Sequence, residues 1–373
     1  MLGLYVHIPF CDKICRYCDF AKVYTDVMDH QQYLESLRKE YLLYKDSNNF
    51  VFDTVYFGGG TPSALDEQSL ITLLEIFKDE IQQADEITFE ANPESLNERK
   101  IMILKSYGVN RISLGVQTFD EKSLRFLNRG HSNQQVRNCF TLLRKHGIDN
   151  INLDLIYALP NQTLAAVHKD IEAVFALQPT HISTYALIFE PHTVLYLKQQ
   201  AGKELEVDDT LQEEMYRLLR HKFKQEGYQQ YEFSNWAKAN NYSKHNTKYW
   251  DLTEYLGLGL GSHGFFQGRR YANTRSIVHY KEQLDAGEKP LVEDYLVTQQ
   301  ALMEEMLFLG LRMVKGVEKQ AFFQRFHQSI TEVFGTAIQK HLQLNNIVET
   351  KTHYRLSDDA LFVSNEILSD FLL

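Results

Sequence analysis

The 373-residue chain contains no run of 18 consecutive apolar residues, so no transmembrane helix is expected. It also lacks a basic excess: 39 Lys and Arg stand against 49 Asp and Glu, a formal net charge of −10. A protein that coats nucleic acid needs clustered cations to neutralise phosphates, and none are clustered here, so nucleic acid is not an expected partner. Low-complexity segments are absent, and 44% hydrophobic with 24% charged residues excludes disordered, collagen-like and disulfide-scaffold classes. The apolar start, Met1 to Phe10, lacks the positive residues, the longer apolar stretch and the small-residue cleavage site of a secretory signal. It reads as a first strand, and a cytoplasmic location is expected. Cysteine is scarce, at four, yet Cys11, Cys15 and Cys18 fall within eight residues. In a reducing compartment that spacing points to metal or redox chemistry rather than disulfides.

What is present is an alternation of short apolar runs with amphipathic stretches from Leu2 to Leu187. Strands are expected at Leu2 to Ile8, Phe52 to Phe57, Glu86 to Ala91, Arg111 to Val116, Ile151 to Ala158 and His181 to Leu187. Between them, sets such as Leu70, Leu73, Leu74, Phe77 and Ile81, or Val136, Cys139, Phe140 and Leu143, have the spacing of a buried helix face. Strands alternating with helices make a parallel sheet, because each parallel connection needs a crossover. The expected fold is therefore α/β: an open six-unit (β/α)6 partial barrel, too few units for the closed eight-stranded form. Polar residues from Lys198 to Thr210 suggest a boundary, and Ala286 to Pro290 reads as a linker. Three segments follow: 1–200, the core barrel; 201–290, a barrel-completing segment; and 291–373, a mainly helical, winged-helix-like unit.

Cys11-Asp-Lys-Ile-Cys15-Arg-Tyr-Cys18 has the form C-x3-C-x2-C on a loop just after the first strand. Three thiolates can wrap one face of a four-iron cubane and leave the fourth iron open to an exchangeable ligand. The alternatives are a zinc site of these thiolates with His7, or three unrelated cysteines. Cys139, on an apolar helix face, is assigned to the core. Gly58, Gly59 and Gly60 follow the second strand, where absent Cβ atoms let the backbone approach a ligand; no Gly-Lys-Ser/Thr follows, so this is not a P-loop. Glu90, Gln117 and Asp154 sit at or near the carboxyl ends of successive strands, the end where α/β barrels build their sites. Gly259-Leu-Gly-Ser-His-Gly264 is a formal G-x-G-x-x-G, but no helix is expected after it, which argues against dinucleotide binding.

Tyr5-Val-His-Ile-Pro-Phe-Cys11, Phe57-Gly-Gly-Gly-Thr-Pro62, Gly115-Val-Gln117 and Asp154-Leu-Ile-Tyr-Ala-Leu-Pro160 together resemble the radical S-adenosylmethionine superfamily. Within it they look like the group containing oxygen-independent coproporphyrinogen III dehydrogenase and the haem chaperones. The resemblance covers nearly the whole chain and implies a 4Fe–4S cluster on Cys11, Cys15 and Cys18, with S-adenosylmethionine completing the coordination of the open iron. It further implies that Tyr5, Tyr17, Gly59, Gly60, Thr61, Glu90, Gln117, Arg129, Asp154 and Ala186 contact S-adenosylmethionine. Gln117, Arg129 and Asp154 match a second nucleotide site, Ser262 and His263 lie near the adenosyl group, and residues 291–373 correspond to a HemN-type C-terminal domain.

Three departures separate this chain from the dehydrogenases of the group. They carry a further cysteine two residues after the third, where this chain has Asp19-Phe20, and they carry an N-terminal extension over the substrate, whereas here the first strand is expected from residue 2. His245-Asn-Thr-Lys-Tyr-Trp250 looks like the H-N-x-x-Y-W motif of the haem-chaperone branch, offering an imidazole for iron and rings for a porphyrin plane. The expectation is a carrier of haem, with His245 as its ligand, that serves haem-accepting proteins, possibly at the membrane surface. The alternative is radical oxidative decarboxylation of coproporphyrinogen III; no catalytic residue is assigned.

Overall fold

Polar and apolar residues alternate along the strand-forming runs. In Arg111–Gln117, Ile112, Leu114 and Val116 point one way while Arg111, Ser113 and Gly115 point the other, as the two-residue repeat of a strand demands. Val55 and Phe57 oppose Thr54 and Tyr56 in the same manner, as Ile87 and Phe89 oppose Thr88 and Glu90. A computed structural model, which describes residues 2–45, 50–204 and 206–373, packs the apolar sets with the helices in one continuous core. The polar sets share the other face.

Six parallel strands carry this pattern in chain order: β1 (Leu2–Ile8), β2 (Phe52–Gly59), β3 (Glu86–Ala91), β4 (Arg111–Gln117), β5 (Asn150–Tyr157) and β6 (His181–Ala186). Two short strands, β7 (Gln229–Gln230) and β8 (Asn235–Ala237), extend the β6 edge antiparallel. On the other edge β9 (Tyr255–Leu258) adds parallel to β1, followed by antiparallel β10 (His263–Phe266), β11 (Arg269–Asn273) and β12 (Leu291–Leu296). The sheet order is β12-β11-β10-β9-β1-β2-β3-β4-β5-β6-β8-β7, and among the described residues its two edge strands are not paired with each other, so the sheet is open. The α/β expectation thus meets a parallel sheet with crossover helices. β9, a seventh parallel strand, was not foreseen, because four residues with an internal glycine give little strand signal.

Strands from beyond residue 200 lie at both edges of this sheet, and β12 joins it from beyond residue 290. The boundaries drawn from sequence at 200 and 290 therefore cut through one sheet. After β12 come helices Gln299–Arg312, Lys319–Phe326 and Ile330–Gln343, a three-stranded antiparallel sheet of Val317–Glu318, His353–Leu356 and Ile347–Glu349, and helix Ser364–Ser369. One expected helix is broken. The apolar set from Leu70 to Ile81 divides into Glu67–Ile76 and Lys78–Gln83, because Phe77 leaves helical geometry with φ −111° and ψ 21° while its ring stays in the core. Among the described residues, no helix is long and apolar enough to cross a membrane.

The G-x-G-x-x-G run forms the turn between β9 and β10, followed by a strand rather than a helix, and it is pinned from below by a buried acid. Glu40, on helix His30–Lys45, accepts from Gly259 N (2.8 Å), Asn273 Nδ2 (2.6 Å) and Tyr280 Oη (2.6 Å). Burial raises its carboxyl to about 7 against the opposing pull of those donors. Truncation would take the acceptor from the Gly259 N–H and the Tyr280 hydroxyl, each costing about 1–3 kcal/mol when unsatisfied, while Asn273 Nδ2 keeps Gly259 O and Ser262 Oγ. Glu40→Ala is expected to lower the unfolding free energy by about 3 kcal/mol or more in a urea titration. A change below about 1 kcal/mol would show that the turn does not depend on this acid.

Candidate functional site

The carboxyl ends of β2 to β6 and the loop after β1 enclose a cavity of about 560 Å³. Neighbouring strands lie about 4.8 Å apart, so five strands in a flat sheet would spread their ends over about 20 Å; lining one cavity requires the sheet to curl.

The cysteine loop is tied at its base and along its length. Phe10–Cys11 pairs with Val23–Tyr24, Arg16 N donates to Leu127 O at 3.1 Å, and Asn128 Nδ2 donates to Ile14 O at 2.8 Å. Cys11 is buried; Cys15 and Cys18 are half-buried, and Cys18 N donates to Cys15 O at 3.3 Å. Burial raises the Cys11 thiol to about 11 and raises Cys18 as well, and the three sulfurs lie close enough to disfavour one another's ionisation. An iron ion would reverse that balance, since a coordinating thiol is deprotonated. Arg129 Nη1 donates to Cys15 Sγ at 3.4 Å, and its Nη2 donates to Asn92 Oδ1 at 2.8 Å and to Gly115 O. A fixed cation thus faces one thiol of the loop.

The zinc alternative finds no fourth ligand in His7. Its Nε2 bonds Ala21 O at 2.7 Å and its Nδ1 bonds Tyr5 Oη at 3.0 Å. Among the described residues no group of three His, Cys, Asp or Glu side chains is disposed to hold a single metal ion.

The glycine run is a point of close approach. A Cβ on Gly60 would stand 2.6 Å from Pro9 O and 3.0 Å from Cys11 Sγ, and one on Gly59, at φ +116°, would stand 2.7 Å from the His7 ring. Gly59 N donates to Glu90 Oε2 at 3.1 Å, and Tyr56 Oη donates to Glu90 Oε1 at 2.6 Å. Burial raises Glu90 to about 7 and moves Asp154 upward also. Asp154 accepts from Asn152 Nδ2 at 2.8 Å and Ser113 Oγ at 3.3 Å. Gln117 ends β4 in the left-handed region, φ 69°, where the β4–β5 register shifts. That conformation is strained for glutamine and turns its side chain toward the cavity lining.

Tyr17, Gly59, Gly60, Thr61, Glu90, Gln117, Arg129, Asp154 and Ala186 line this cavity together with Cys11, Cys15 and Cys18. Tyr5 does not; it lies mid-strand, its hydroxyl spent on His7. Ser262 is buried in the β9–β10 turn, donating to Gly259 O, and His263 is exposed outside the lining. Asn92, Ser113, Asn152, Ser183 and Tyr185 join the lining without having been picked out. Their signal was present in the alternation: each is the polar partner of an apolar residue on the same strand or at its end.

His245 is not presented to a ligand as expected from its motif. It is fully buried on helix Lys244–Trp250, with Nδ1 bonded to Thr54 Oγ1 at 2.8 Å and Nε2 to Tyr249 Oη at 3.0 Å. Its ring packs at 5.1 Å from Tyr56, and Glu86 accepts from its backbone N–H. Burial lowers the imidazole to about 3, so it is neutral. The motif touches the cavity through its neighbour, Asn246.

The residues present fit an iron–sulfur cluster with a nucleoside ligand: three thiols on one loop, a cation beside one, a side-chain-free backbone edge beside Cys11, and two carboxylates across the cavity. Residues 5–174 match the family model of the radical SAM superfamily, and residues 297–363 match the HemN C-terminal domain. The haem chaperone HemW of Bacillus subtilis is 35% identical over 376 residues, covering 100% of this chain and 99% of that protein. The haem chaperone HemW of Lactococcus lactis is 37% identical over 371 residues, covering 99% and 97%. Among solved structures, the Escherichia coli coproporphyrinogen III oxidase HemN, a radical SAM enzyme, superposes with a TM-score of 0.85 at 21% identity, covering 100% of this chain and 90% of that one. That likeness is one of fold.

Removing the His245 imidazole would leave Thr54 and Tyr249 without their partner and open a void beside Tyr56. His245→Ala is expected to lower the unfolding free energy by about 2–4 kcal/mol in chemical denaturation. An unchanged midpoint would mean that the ring is not buried in solution.

Proposed function

Because the chain belongs to the radical S-adenosylmethionine superfamily and, within it, to the HemW haem chaperone family, we propose that it binds haem and delivers it to haem-requiring proteins. In this proposal Cys11, Cys15 and Cys18 hold a 4Fe–4S cluster, and Gly59, Gly60, Thr61, Glu90, Gln117, Asp154 and Ala186 hold S-adenosylmethionine beside it. Bound together, cluster and sulfonium supply one-electron chemistry; the chain positions them and controls their surroundings. Arg129 orders Cys15 and offsets negative charge on the thiolates. Gln117, Arg129 and Asp154 face the same cavity as the first nucleotide set, so a second nucleotide would share that space.

The observation that carries a carrier function is an apolar rim on this cavity. Phe20, two residues after Cys18, is 67% exposed, and Ile188, just past β6, is 59% exposed; both line the cavity mouth. Exposed apolar side chains grouped at a concave site mark a place where an apolar partner docks. A porphyrin face resting there would remain reachable by an acceptor. His245 serves as the iron ligand only if helix Lys244–Trp250 withdraws from the sheet, since both ring nitrogens are engaged inside.

Anaerobic reconstitution tests the cluster and the haem separately. Any of Cys11→Ser, Cys15→Ser or Cys18→Ser is expected to abolish the cluster's absorption, whereas Cys139→Ser, whose thiol donates to Pro93 O within the core, leaves it intact. Saturating S-adenosylmethionine is expected to change the cluster's electron paramagnetic resonance spectrum; a spectrum that never responds would sink the cofactor assignment. Haem is expected to bind with a defined Soret band, weakened by Phe20→Asp. Steady conversion of coproporphyrinogen III by the reconstituted wild type would replace the carrier with the enzyme. A Soret band unaltered in His245→Ala would remove that histidine from the ligand set.

A further inference from the structure

Arg111 opens β4 with its side chain on the polar face, and it is 1% exposed. None of its three guanidinium nitrogens has a hydrogen-bond partner among the described residues. Its register partner on β3, Thr88, is fully buried, and the Thr88 hydroxyl also has none. A buried guanidinium without partners is costly and seldom retained for stability alone. One layer toward the cavity stands Glu90, level with Ser113, and one layer beyond that Asp154, level with Gly115.

The groups around this guanidinium leave it few charges to act on. Tyr56 and Tyr231 are phenols pushed upward by burial, and His181 and His245 are imidazoles pushed downward by it, so all four are neutral near pH 7. The Glu86 carboxylate is spent on the N–H groups of Lys244 and His245, and Lys248 pairs with Asp53 at 2.7 Å. Glu232, raised to about 7 by burial, lies on the side of Tyr231 and Tyr185 and accepts from Ser234 N. Toward the cavity stand two carboxyl groups that burial raises; the guanidinium field opposes that rise in both, alongside the hydrogen bonds they accept.

We propose that Arg111 is a positioning residue whose unpaired guanidinium keeps Glu90 and Asp154 ionised together, so that two carboxylates stand on one wall of the cavity to hold a cationic sulfonium ligand. This rests on the cavity being the S-adenosylmethionine site. Two adjacent buried carboxyls without a counter-charge share a proton rather than both ionise. A carboxyl raised toward 7 is charged above that pH and loses its charge as pH falls through it, so ligand affinity declines on the acid side. Loss of the guanidinium shifts the decline upward in pH.

The test is calorimetric titration of S-adenosylmethionine into the reconstituted full chain between about pH 6 and pH 9.5, using wild type, Arg111→Gln and Arg111→Lys. The wild-type affinity is expected to hold at alkaline pH and weaken below neutrality. In Arg111→Gln the weakening begins about one pH unit higher, with affinity at pH 7.5 reduced about tenfold and recovering at the alkaline end. Arg111→Lys restores the wild-type profile. Superimposable profiles, or a uniform loss at every pH, would overturn the assignment. If Arg111→Gln does not fold, carboxyl carbon-13 resonances of the wild type decide: both Glu90 and Asp154 ionised by pH 8 supports it, and either still protonated at pH 9 refutes it. A wild type that binds no S-adenosylmethionine at any pH refutes the cofactor reading instead, and the carboxyl titration then judges Arg111 alone.

Discussion

A polar sheet face turned inward is the constraint on which the rest of this structure depends. Closed α/β barrels fill their interior with branched apolar side chains. Here the inward positions of six strands are hydroxyls, amides, phenols, imidazoles and carboxylates, and burying them without partners would cost about 1–3 kcal/mol each. Apart from Arg111 and Thr88, many of them are reconciled by bonding one another across strands. Tyr56 donates to Glu90, Asn152 links Ser113 to Asp154, and His181 bridges Asn152 (2.6 Å) and Tyr231 (2.7 Å). Such a network holds each side chain in one geometry, which suits a surface that has to orient a polar ligand.

The same constraint explains the helix that carries the histidine motif. A concave polar face is open at its lower end unless something covers it. Helix Lys244–Trp250 does so with His245, which meets Thr54 and Tyr249, while Glu86 caps its first N–H groups. Two functions assigned by the sequence to separate places are thereby brought onto one axis: the motif forms the floor, Asn246 reaches the cavity, and the thiol loop closes the top. The histidine motif and the cavity share neighbours such as Tyr56, which touches both His245 and Glu90.

At the upper end, order comes from a few long-range tethers. The cysteine loop has no regular structure between Cys11 and Val23, yet Arg129, Asn128 and Leu127, all from the segment after β4, bind Cys15, Ile14 and Arg16. Glycine at position 60 lets the β2 loop meet this one closely enough that a methyl group would collide with Pro9 and Cys11. The cysteine loop and the glycine edge of β2 are thus one packed unit, and a change in either displaces the other.

Much of this was legible in the chain itself. Short apolar runs marked the six parallel strands and helical spacing marked helices between them, while thiol spacing, the glycine run and the strand-end polar residues marked part of the cavity lining, because these signals are local and depend only on chain geometry. The inner placement of Arg111, Thr88 and His245 was not legible. Each reads locally as an ordinary polar residue, and which face of a strand turns inward is fixed only when the helices cover the other. Tyr5 and His7 likewise looked available until the fold joined them to each other and to Ala21. Sequence therefore determined which residues form the elements and which chemistry the loops carry. Tertiary structure decided which polar groups lose contact with water, since desolvation and pairing across strands arise only when segments far apart in the chain are brought together.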